Sequence, residues 1–260
     1  RLTAMECIVM AGGRPEEGDT LWPETHGGQK AWIDLAGRPM VAWVLAALLG
    51  SRHIDRIIVI GLDKPLEGFD RFDSVEFIAD QGSLVANIYA GIARLTPGQQ
   101  AAFCWADMPL LTSEIIDRFI ELVPDPTADI TCGVVEKTRL QRSFPGADDL
   151  WLRIREGRFI AAGFGLFSPE SAGRARRHLE ALMPQRKSAA RQARYLGVPL
   201  LIRYVLGLLS IPGLEAHLRR RFDLECKVLI VDDSELGLDV DNANNLAVCR
   251  RALVARQAGP

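Results

Sequence analysis

The chain has 260 residues, 48% of them hydrophobic, and carries 31 lysines and arginines against 33 aspartates and glutamates, a net charge of −2. This length can bury the core of one large domain or of one domain with an elaborated insert, and the near-zero charge argues against wholesale nucleic-acid binding. The five cysteines are widely spaced, without a CxxC pair or a histidine at metal-ligand spacing. We therefore expect reduced thiols in a cytoplasmic protein. Two prolines and an arginine interrupt the longest apolar stretch, 195–214, which argues against a membrane span.

Short β-rich apolar runs alternate with segments of helical periodicity from residue 6 to about residue 135. The predicted strands are 6–10, 56–61, 75–78, 101–106 and 130–135. Helices are predicted at 39–51, at 84–95 with Ser83 as N-cap, and after Thr112 or Ser113. This alternation predicts an α/β fold with a doubly wound, mostly parallel sheet and right-handed crossovers.

The pattern changes after Val135. Segments 150–154 and 158–161, joined by Glu156-Gly157, predict a β-hairpin, and 163–167 predicts a return to the sheet. Residues 169–222 predict successive helices with eleven lysines and arginines against three acids, and we interpret them as a basic helical insert. A last strand is predicted at 227–231 and a closing helix at 241–255.

Candidate ligand-binding residues follow the predicted strands, because open α/β sheets bind ligands beyond the carboxyl ends of their strands. Glycines there let backbone N–H groups turn toward an anion, and carboxylates can hold a metal. Four groups fit this description: Ala11-Gly12-Gly13-Arg14, Asp80-Gln81-Gly82-Ser83 with Asn87, Asp107-Met108-Pro109, and Asp239-Val240-Asp241-Asn242.

Two common phosphate-binding motifs do not match the glycine-rich loop. A dinucleotide fold needs GxGxxG directly after the first strand, and Gly12-Gly13 lacks that spacing. A P-loop needs a lysine directly after its second glycine, where Asp19 follows Gly18. The lysine arrives late, at Lys30.

Two glycines, an arginine, a delayed lysine and separated aspartates together indicate a site for a polyphosphate and its metal. Charge accumulates on a nucleoside triphosphate that is attacked at its α-phosphate, and cationic groups with Mg²⁺ stabilise it. Asp107 and Asp241 would hold the metal, and Lys30 would supply a mobile point charge.

The chain resembles the MobA-like nucleotidyltransferases, which include guanylyltransferases of the molybdenum cofactor and of cobinamide phosphate, and cytidylyltransferases of sugar and alditol phosphates. The resemblance covers 6–135 and 227–255. It is carried by Ala11-Gly12-Gly13-Arg14, Gln29-Lys30-Ala31, Leu35-Ala36-Gly37-Arg38-Pro39-Met40, Gly82-Ser83-Leu84 with Asn87, the segment 105–112 around Asp107-Met108-Pro109, and Asp239-Val240-Asp241 with Asn245-Leu246.

The resemblance implies a Rossmann-like fold of the nucleotide-diphospho-sugar transferase type. It also implies Mg²⁺-dependent transfer of a nucleoside monophosphate from GTP or CTP to an anionic, phosphorylated small molecule, with release of pyrophosphate. The catalytic residues that it implies are Lys30, Arg14 and Asp107; the nucleotide-binding residues are Ala11, Gly12, Gly13, Gly82, Ser83 and Asn87; the metal ligands are Asp107 and Asp241, with Asp239 as substitute.

The pattern along the chain, together with this resemblance, predicts three parts. The nucleotide-binding core comprises 5–135 and 223–260, acceptor-side elements with the hairpin comprise 136–168, and the basic helical insert at 169–222 is a candidate contact for a membrane surface or a protein. No nucleic-acid partner is expected.

Three departures keep other interpretations open. Arg14 comes early and is followed by Pro15, the loop is acidic, and the insert has no counterpart in small molybdenum-cofactor enzymes. The alternatives are a glycosyltransferase of the same fold and a catalytically silent nucleotide-binding or interaction module. Asp107 could also merely end a strand, and Asp241 could merely cap the last helix.

Overall fold

A central sheet organises the part of the chain that the computed structural model describes, residues 5–69, 72–182 and 195–258. Ten strands occur within those residues, and eight of them form this sheet while β2 and β3 form a separate two-stranded ribbon. The strands are β1 (Met5–Met10), β2 (Asp34–Leu35), β3 (Arg38–Pro39), β4 (Ile54–Ile60), β5 (Val75–Ile78), β6 (Ala101–Trp105), β7 (Ile130–Glu136), β8 (Leu152–Ile154), β9 (Gly157–Phe167) and β10 (Cys226–Val231).

The strand order of the main sheet is β10-β7-β9-β6-β1-β4-β5, and β8 pairs with β9. Strand β1 is parallel to β4 and β6, β4 is parallel to β5, and β7 is parallel to β10. Strand β9 is antiparallel to both of its long neighbours, β6 and β7. The predicted α/β fold with a mostly parallel sheet is confirmed.

Helices cover both faces of the sheet. Within the described residues they are α1 (Trp22–Thr25), α2 (Met40–Gly50), α3 (Leu84–Ile92), α4 (Ser113–Leu122), α5 (Lys137–Ser143), α6 (Ala172–Leu182), α7 (Val198–Val205), α8 (Ile211–Phe222) and α9 (Ala243–Ala258). Side chains alternate between the faces of a strand. In β1, Cys7 and Val9 belong to the cluster formed with α2, α4 and α9, whereas Ile8 packs with Ile92 of α3 on the other face. This arrangement is the predicted doubly wound one.

The antiparallel strand β9 corrects the prediction for its region. The sequence predicted a hairpin arm at 158–161 and a separate strand at 163–167, but β9 is continuous over eleven residues. Its first part pairs with β8, its last part pairs with β6, and β7 runs beside both. A register shift between Cys132 and Val134 of β7 accommodates this length.

The described part of the basic segment contains the helices α6, α7 and α8, which pack against the sheet. Helix α6 is tied to the core by an ion pair of 2.5 Å between Arg174 and Asp129, and α8 packs beside β10. Arg186, Lys187, Arg191 and Arg194 of the predicted insert lie outside the described residues. The division of the chain into core, hairpin and insert stays a prediction.

All five cysteines are free thiols, buried or partly buried. Within the described ranges, no helix is both long enough and apolar enough to cross a membrane.

Candidate active site

A cavity of about 430 Å³ opens at the carboxyl ends of β1 and β6. Its lining comprises Met10, Gly12, Gly13, Arg14, Lys30, Asp80, Gly82, Ser83, Leu84, Asn87, Trp105, Asp107, Asp239 and Asp241. Apart from Ala11, every residue predicted to be catalytic, nucleotide-binding or metal-binding lines this one cavity. A larger cavity of about 530 Å³ beside Trp32 and Lys64 contains none of them.

The glycine loop is set by backbone contacts. Ala11 donates its N–H to the carbonyl of Ile60 at 2.8 Å, so the chain after β1 continues beside the end of β4. A Cβ on Gly61 would stand 2.7 Å from both N and Cα of Gly12, and Gly61 has a φ of +95°. Only glycine fits this contact, because any side chain would separate the two strand ends.

Lys30 returns to the start of the loop. Its backbone N–H donates to the carbonyl of Gly13 at 2.9 Å, and its ammonium forms ion pairs with both Asp107 and Asp241. Burial alone would lower the pKa of Lys30, but the attraction of the two carboxylates and their hydrogen bonds outweigh it and hold this pKa well above its usual value. Lys30 is therefore a permanently charged group inside the cavity.

Backbone hydrogen bonds bring the distant aspartates together. Asp107 follows β6, and its carbonyl accepts the N–H of Val240 at 2.9 Å. The Asn245 side chain donates to the carbonyl of Asp239 at 3.0 Å and accepts the N–H of Asp148 at 3.0 Å. These contacts hold the segment before α9 against the end of β6.

Asp241 does not cap the last helix. Helix α9 begins at Ala243, and the Asn242 side chain accepts the N–H of Asn245 at 2.9 Å in the manner of an N-cap. The carboxylate of Asp241 is thus available to Lys30 and to the cavity.

Two carboxylate oxygens at the site have no hydrogen-bond donor. They are Oδ1 of Asp107 and Oδ1 of Asp239, both buried. Burial, followed by repulsion from Asp107, Asp241 and Asp149, raises the pKa of Asp239 far above its usual value. Unsatisfied buried oxygens are rare in proteins, and a cation with oxygen ligands would satisfy them.

The carboxylates of Asp107, Asp239 and Asp241 supply oxygen atoms of the kind that bind a cation. No three histidine, cysteine, aspartate or glutamate side chains of the described residues are arranged to hold a metal by themselves. Magnesium sites commonly use one or two carboxylates together with phosphate oxygens of the substrate. The residues present fit that kind of site.

The turn before α3 forms another wall of the cavity. The Asn87 amide holds this turn, since its Oδ1 accepts the N–H of Gln81 at 2.7 Å and its Nδ2 donates to Asp80 at 2.8 Å. Gly82 has a φ of +83°, a conformation that favours glycine. The Ser83 hydroxyl accepts the N–H of Ala86, which confirms its predicted capping role.

Arg14 lies at the edge of the cavity with its guanidinium engaged elsewhere. It forms an ion pair with Asp63 at 2.5 Å and donates to the carbonyl of Gly27 at 3.3 Å. The structure therefore brings Lys30, Asp107 and Asp241 into contact, whereas Arg14 is paired outside this cluster.

Other residues that support the site were not predicted. Buried Gln29 donates to the carbonyl of Gly61 and accepts the N–H of Asp63 at 3.0 Å, which fixes the approach to Lys30. Arg250 of α9 forms two hydrogen bonds of 2.8 Å with Glu24 of the acidic loop. Gln29 could have been found from its position next to Lys30 in the sequence. No local pattern predicts the contact between Arg250 and Glu24.

Residues 7–220 match the family model described as MobA-like NTP transferase domain. The chain belongs to this family. It is a nucleotidyltransferase, and the resemblance inferred from the sequence motifs is confirmed. No curated protein matches the chain.

Solved structures support the same fold. A hypothetical transferase from Thermus thermophilus is 27% identical, with a TM-score of 0.81, and the match covers 94% of this chain and 100% of that chain. The 4-diphosphocytidyl-2C-methyl-D-erythritol synthase from Anaerococcus prevotii is 11% identical, with a TM-score of 0.57 and coverage of 97% and 96%. A CMP:2-keto-3-deoxy-manno-octonic acid synthetase complexed with CTP is 13% identical, with a TM-score of 0.60 and coverage of 98% and 99%. The predicted nucleotide-diphospho-sugar transferase fold is confirmed.

Proposed function

We propose that this MobA-like nucleotidyltransferase moves a nucleoside monophosphate from GTP or CTP to a phosphorylated small molecule in a Mg²⁺-dependent reaction. The observation that carries the proposal is the contact of Lys30 with Asp107 and Asp241 beside the glycine loop, in one cavity. This contact brings together a cation that would bind phosphates, carboxylates that would hold a metal, and backbone N–H groups that would bind an anion.

The reaction needs little covalent chemistry from the protein. An oxygen of the acceptor phosphate forms a bond to the α-phosphorus, the bond from that phosphorus to the bridging oxygen breaks, and pyrophosphate leaves with the electron pair. Lys30 would contact the phosphate oxygens, while the loop at Gly12 and Gly13 would orient the nucleotide. Asp107 and Asp241 would hold Mg²⁺, with Asp239 as the substitute ligand. When bound, Mg²⁺ would neutralise charge on the phosphates.

We infer an anionic acceptor from an arginine pair on the hairpin, which lies outside the residues that line the cavity. Arg153 of β8 and Arg158 of β9 are partners in the antiparallel register, and both are exposed. Among the described residues neither forms an ion pair with an acid. Like charges directly opposite each other destabilise a sheet, and a bound phosphate would relieve the repulsion.

Pyrophosphate release tests the proposal. The full-length chain would be assayed with each of the four nucleoside triphosphates and Mg²⁺, against phospho-sugar, phospho-alditol and phospho-cofactor acceptors. We expect turnover with GTP or CTP and one acceptor class, and no turnover with chelator. Binding of nucleotide without turnover on any acceptor would instead indicate a silent module, and transfer from a nucleotide sugar would indicate a glycosyltransferase.

The variant Asp107→Asn tests one residue of the proposed metal site against a matched control. Loss of a metal ligand should lower turnover by about 100-fold or more while the protein stays folded. The control is Asp232→Asn, since Asp232 is a highly exposed aspartate paired with Arg139 and does not line the cavity. Equal activity of the two variants would remove Asp107 from the site.

A further inference from the structure

Helix α7 and the residues after it leave an apolar surface open to water. Leu200 is the one buried residue of this eight-residue helix, whereas Val205 is 73% exposed and Leu206 is 63% exposed. Globular proteins rarely leave contiguous apolar surface exposed unless it serves a contact. We call the exposed apolar residues of this segment the α7 patch; they are Val198, Leu201, Ile202, Tyr204, Val205, Leu206 and Leu208.

The α7 patch is held by a small core beneath it. Leu200 of α7 and Leu209 just beyond the patch pack with Val134 of β7, Ile154 of β8 and Phe159 of β9. The helix is thus anchored to the sheet by its buried side while the other sides face outward. Anchoring of this kind presents the apolar side chains as a fixed surface.

The segment that carries the patch is strongly basic. Segment 169–222 carries a formal charge of +8 in a chain of −2, which leaves −10 for the remainder. In the described part of this segment, exposed Arg203, Arg220 and Arg221 form no ion pair. Arg155, also exposed, donates its backbone N–H to the carbonyl of Leu209 at 2.8 Å, which places a further arginine beside the patch.

We propose that the α7 patch docks on an anionic membrane surface. Its apolar side chains would enter the boundary between headgroups and acyl chains, as interfacial helices do, and the arginines would contact acidic headgroups. Tyr204 suits this depth, because its ring is apolar and its hydroxyl is polar. The contrast between a basic segment and an acidic remainder would orient the molecule with α7 toward the membrane.

Charge favours a membrane over a second copy of the chain. A two-fold contact through the patch would bring two segments of charge +8 against each other, which opposes association. A nucleic acid would engage the arginines but would leave the apolar side chains without a role, since its backbone surface is phosphate. An anionic bilayer accounts for both the apolar and the basic groups.

This inference goes beyond the proposed function and does not depend on it. Docking requires neither nucleotide nor metal, so vesicle binding and transferase activity succeed or fail separately.

Flotation with lipid vesicles tests the inference on the full-length chain. We expect it to float with vesicles of phosphatidylcholine that contain phosphatidylserine, to float little with phosphatidylcholine alone, and to detach as salt is added. The double variant Ile202→Asp/Val205→Asp should bind about tenfold more weakly or worse, because two apolar side chains leave the bilayer. Arg220→Glu/Arg221→Glu should weaken binding to the anionic vesicles alone.

The matched control is Val254→Asp, the same change at a 57% exposed position on α9. Circular dichroism would establish that each variant folds. The inference is overturned if the unaltered chain does not bind anionic vesicles, or if Val254→Asp loses as much binding as the double variant. A dimer in sedimentation that the double variant converts to a monomer, without vesicle binding, would also overturn it and assign the patch to a second copy.

Discussion

The Lys30 ammonium lies between the carboxylates of Asp107 and Asp241, and these two ion pairs join the glycine loop to the ends of β6 and the segment before α9. Lys30 is the cation that compensates the acidic cluster in this structure. Its partner Asp107 is largely buried, whereas Asp241 is 56% exposed, so the two pairs differ in their environments. A buried pair of this kind costs most when one member is removed, because the other charge stays behind.

Lys30→Met should destabilise the protein and strongly lower its activity. We expect a loss of about 2 kcal/mol in unfolding free energy, less than for a fully buried pair because Asp241 is exposed, and turnover lowered by about 100-fold. Mg²⁺ should raise the melting temperature of the variant more than that of the unaltered protein, since no ammonium competes for the carboxylates. Thermal unfolding with and without Mg²⁺ measures this, with Lys227→Met, which removes a surface pair with Glu225, as control. An equal Mg²⁺ response in all three proteins would contradict the prediction.

The stability contribution of Asp239 should depend on pH with a defined sign. Its raised pKa means that the folded protein holds this proton more tightly than the unfolded chain does. The carboxyl therefore favours folding most below its unfolded pKa of about 4, and the contribution is lost as pH rises through the raised folded value. Asp239→Asn, which stays neutral, should gain on the order of 1 kcal/mol or more over the unaltered protein at about pH 8 and little at about pH 4.

Denaturant unfolding at several pH values measures this difference. Asp232→Asn serves as control, since that side chain is 82% exposed. A gain for Asp239→Asn that is the same at every pH would argue against a raised pKa for this group.

Arg14 and Asp63 allow a paired test of the role of the arginine. Both side chains are about half exposed, so their ion pair should contribute less than about 1 kcal/mol and neither variant should unfold. If the guanidinium leaves Asp63 for the phosphates, Arg14→Ala should weaken nucleotide binding by about tenfold, whereas Asp63→Asn should preserve or strengthen it. Titration calorimetry distinguishes the cases. Equal weakening by both variants would assign Arg14 to holding the loop.

Arg158→Glu should affect the acceptor and spare the nucleotide. A carboxylate opposite Arg153 would form an internal pair and remove the site for an acceptor phosphate, so we expect the KM for the acceptor to rise about tenfold or more while that for the nucleoside triphosphate stays within about twofold. Steady-state kinetics give both values. Arg220→Glu repeats the charge change on α8 away from the hairpin. A matching rise in KM for that control would point to a general charge effect.

Much of the fold could be predicted from periodicity alone. Strands such as β5 and helices such as α2 were predictable from the apolar pattern of their own residues, and caps such as Ser83 mark helix ends. Helix α5 was missed because it is short and polar, with Leu140 as its buried residue. The continuity of β9 was missed because it depends on pairing with β6 and β7, which are distant in sequence, as well as with the neighbouring β8.

The site was predictable where it follows strand ends, and not where it depends on tertiary contacts. Motif order singled out Lys30, Asp107 and Asp241, and the structure places them in contact, while their chemical roles stay predictions. Gly61, which Gln29 contacts, and Asp63, which Arg14 contacts, lie some thirty to fifty positions away from them, and no local pattern specifies these pairs. Only the folded chain reveals such pairs, because each depends on how separate loops meet.

The contact between Gly12 and Gly61 has a consequence for how this cavity can change. The floor of the glycine loop is a contact of backbone against backbone, and a Cβ on Gly61 would not fit between the two strand ends. Substitutions around the rim can therefore alter which molecule enters without moving the floor. Variation in substrate preference would be concentrated in the walls, and an engineered change of acceptor should leave these two glycines untouched.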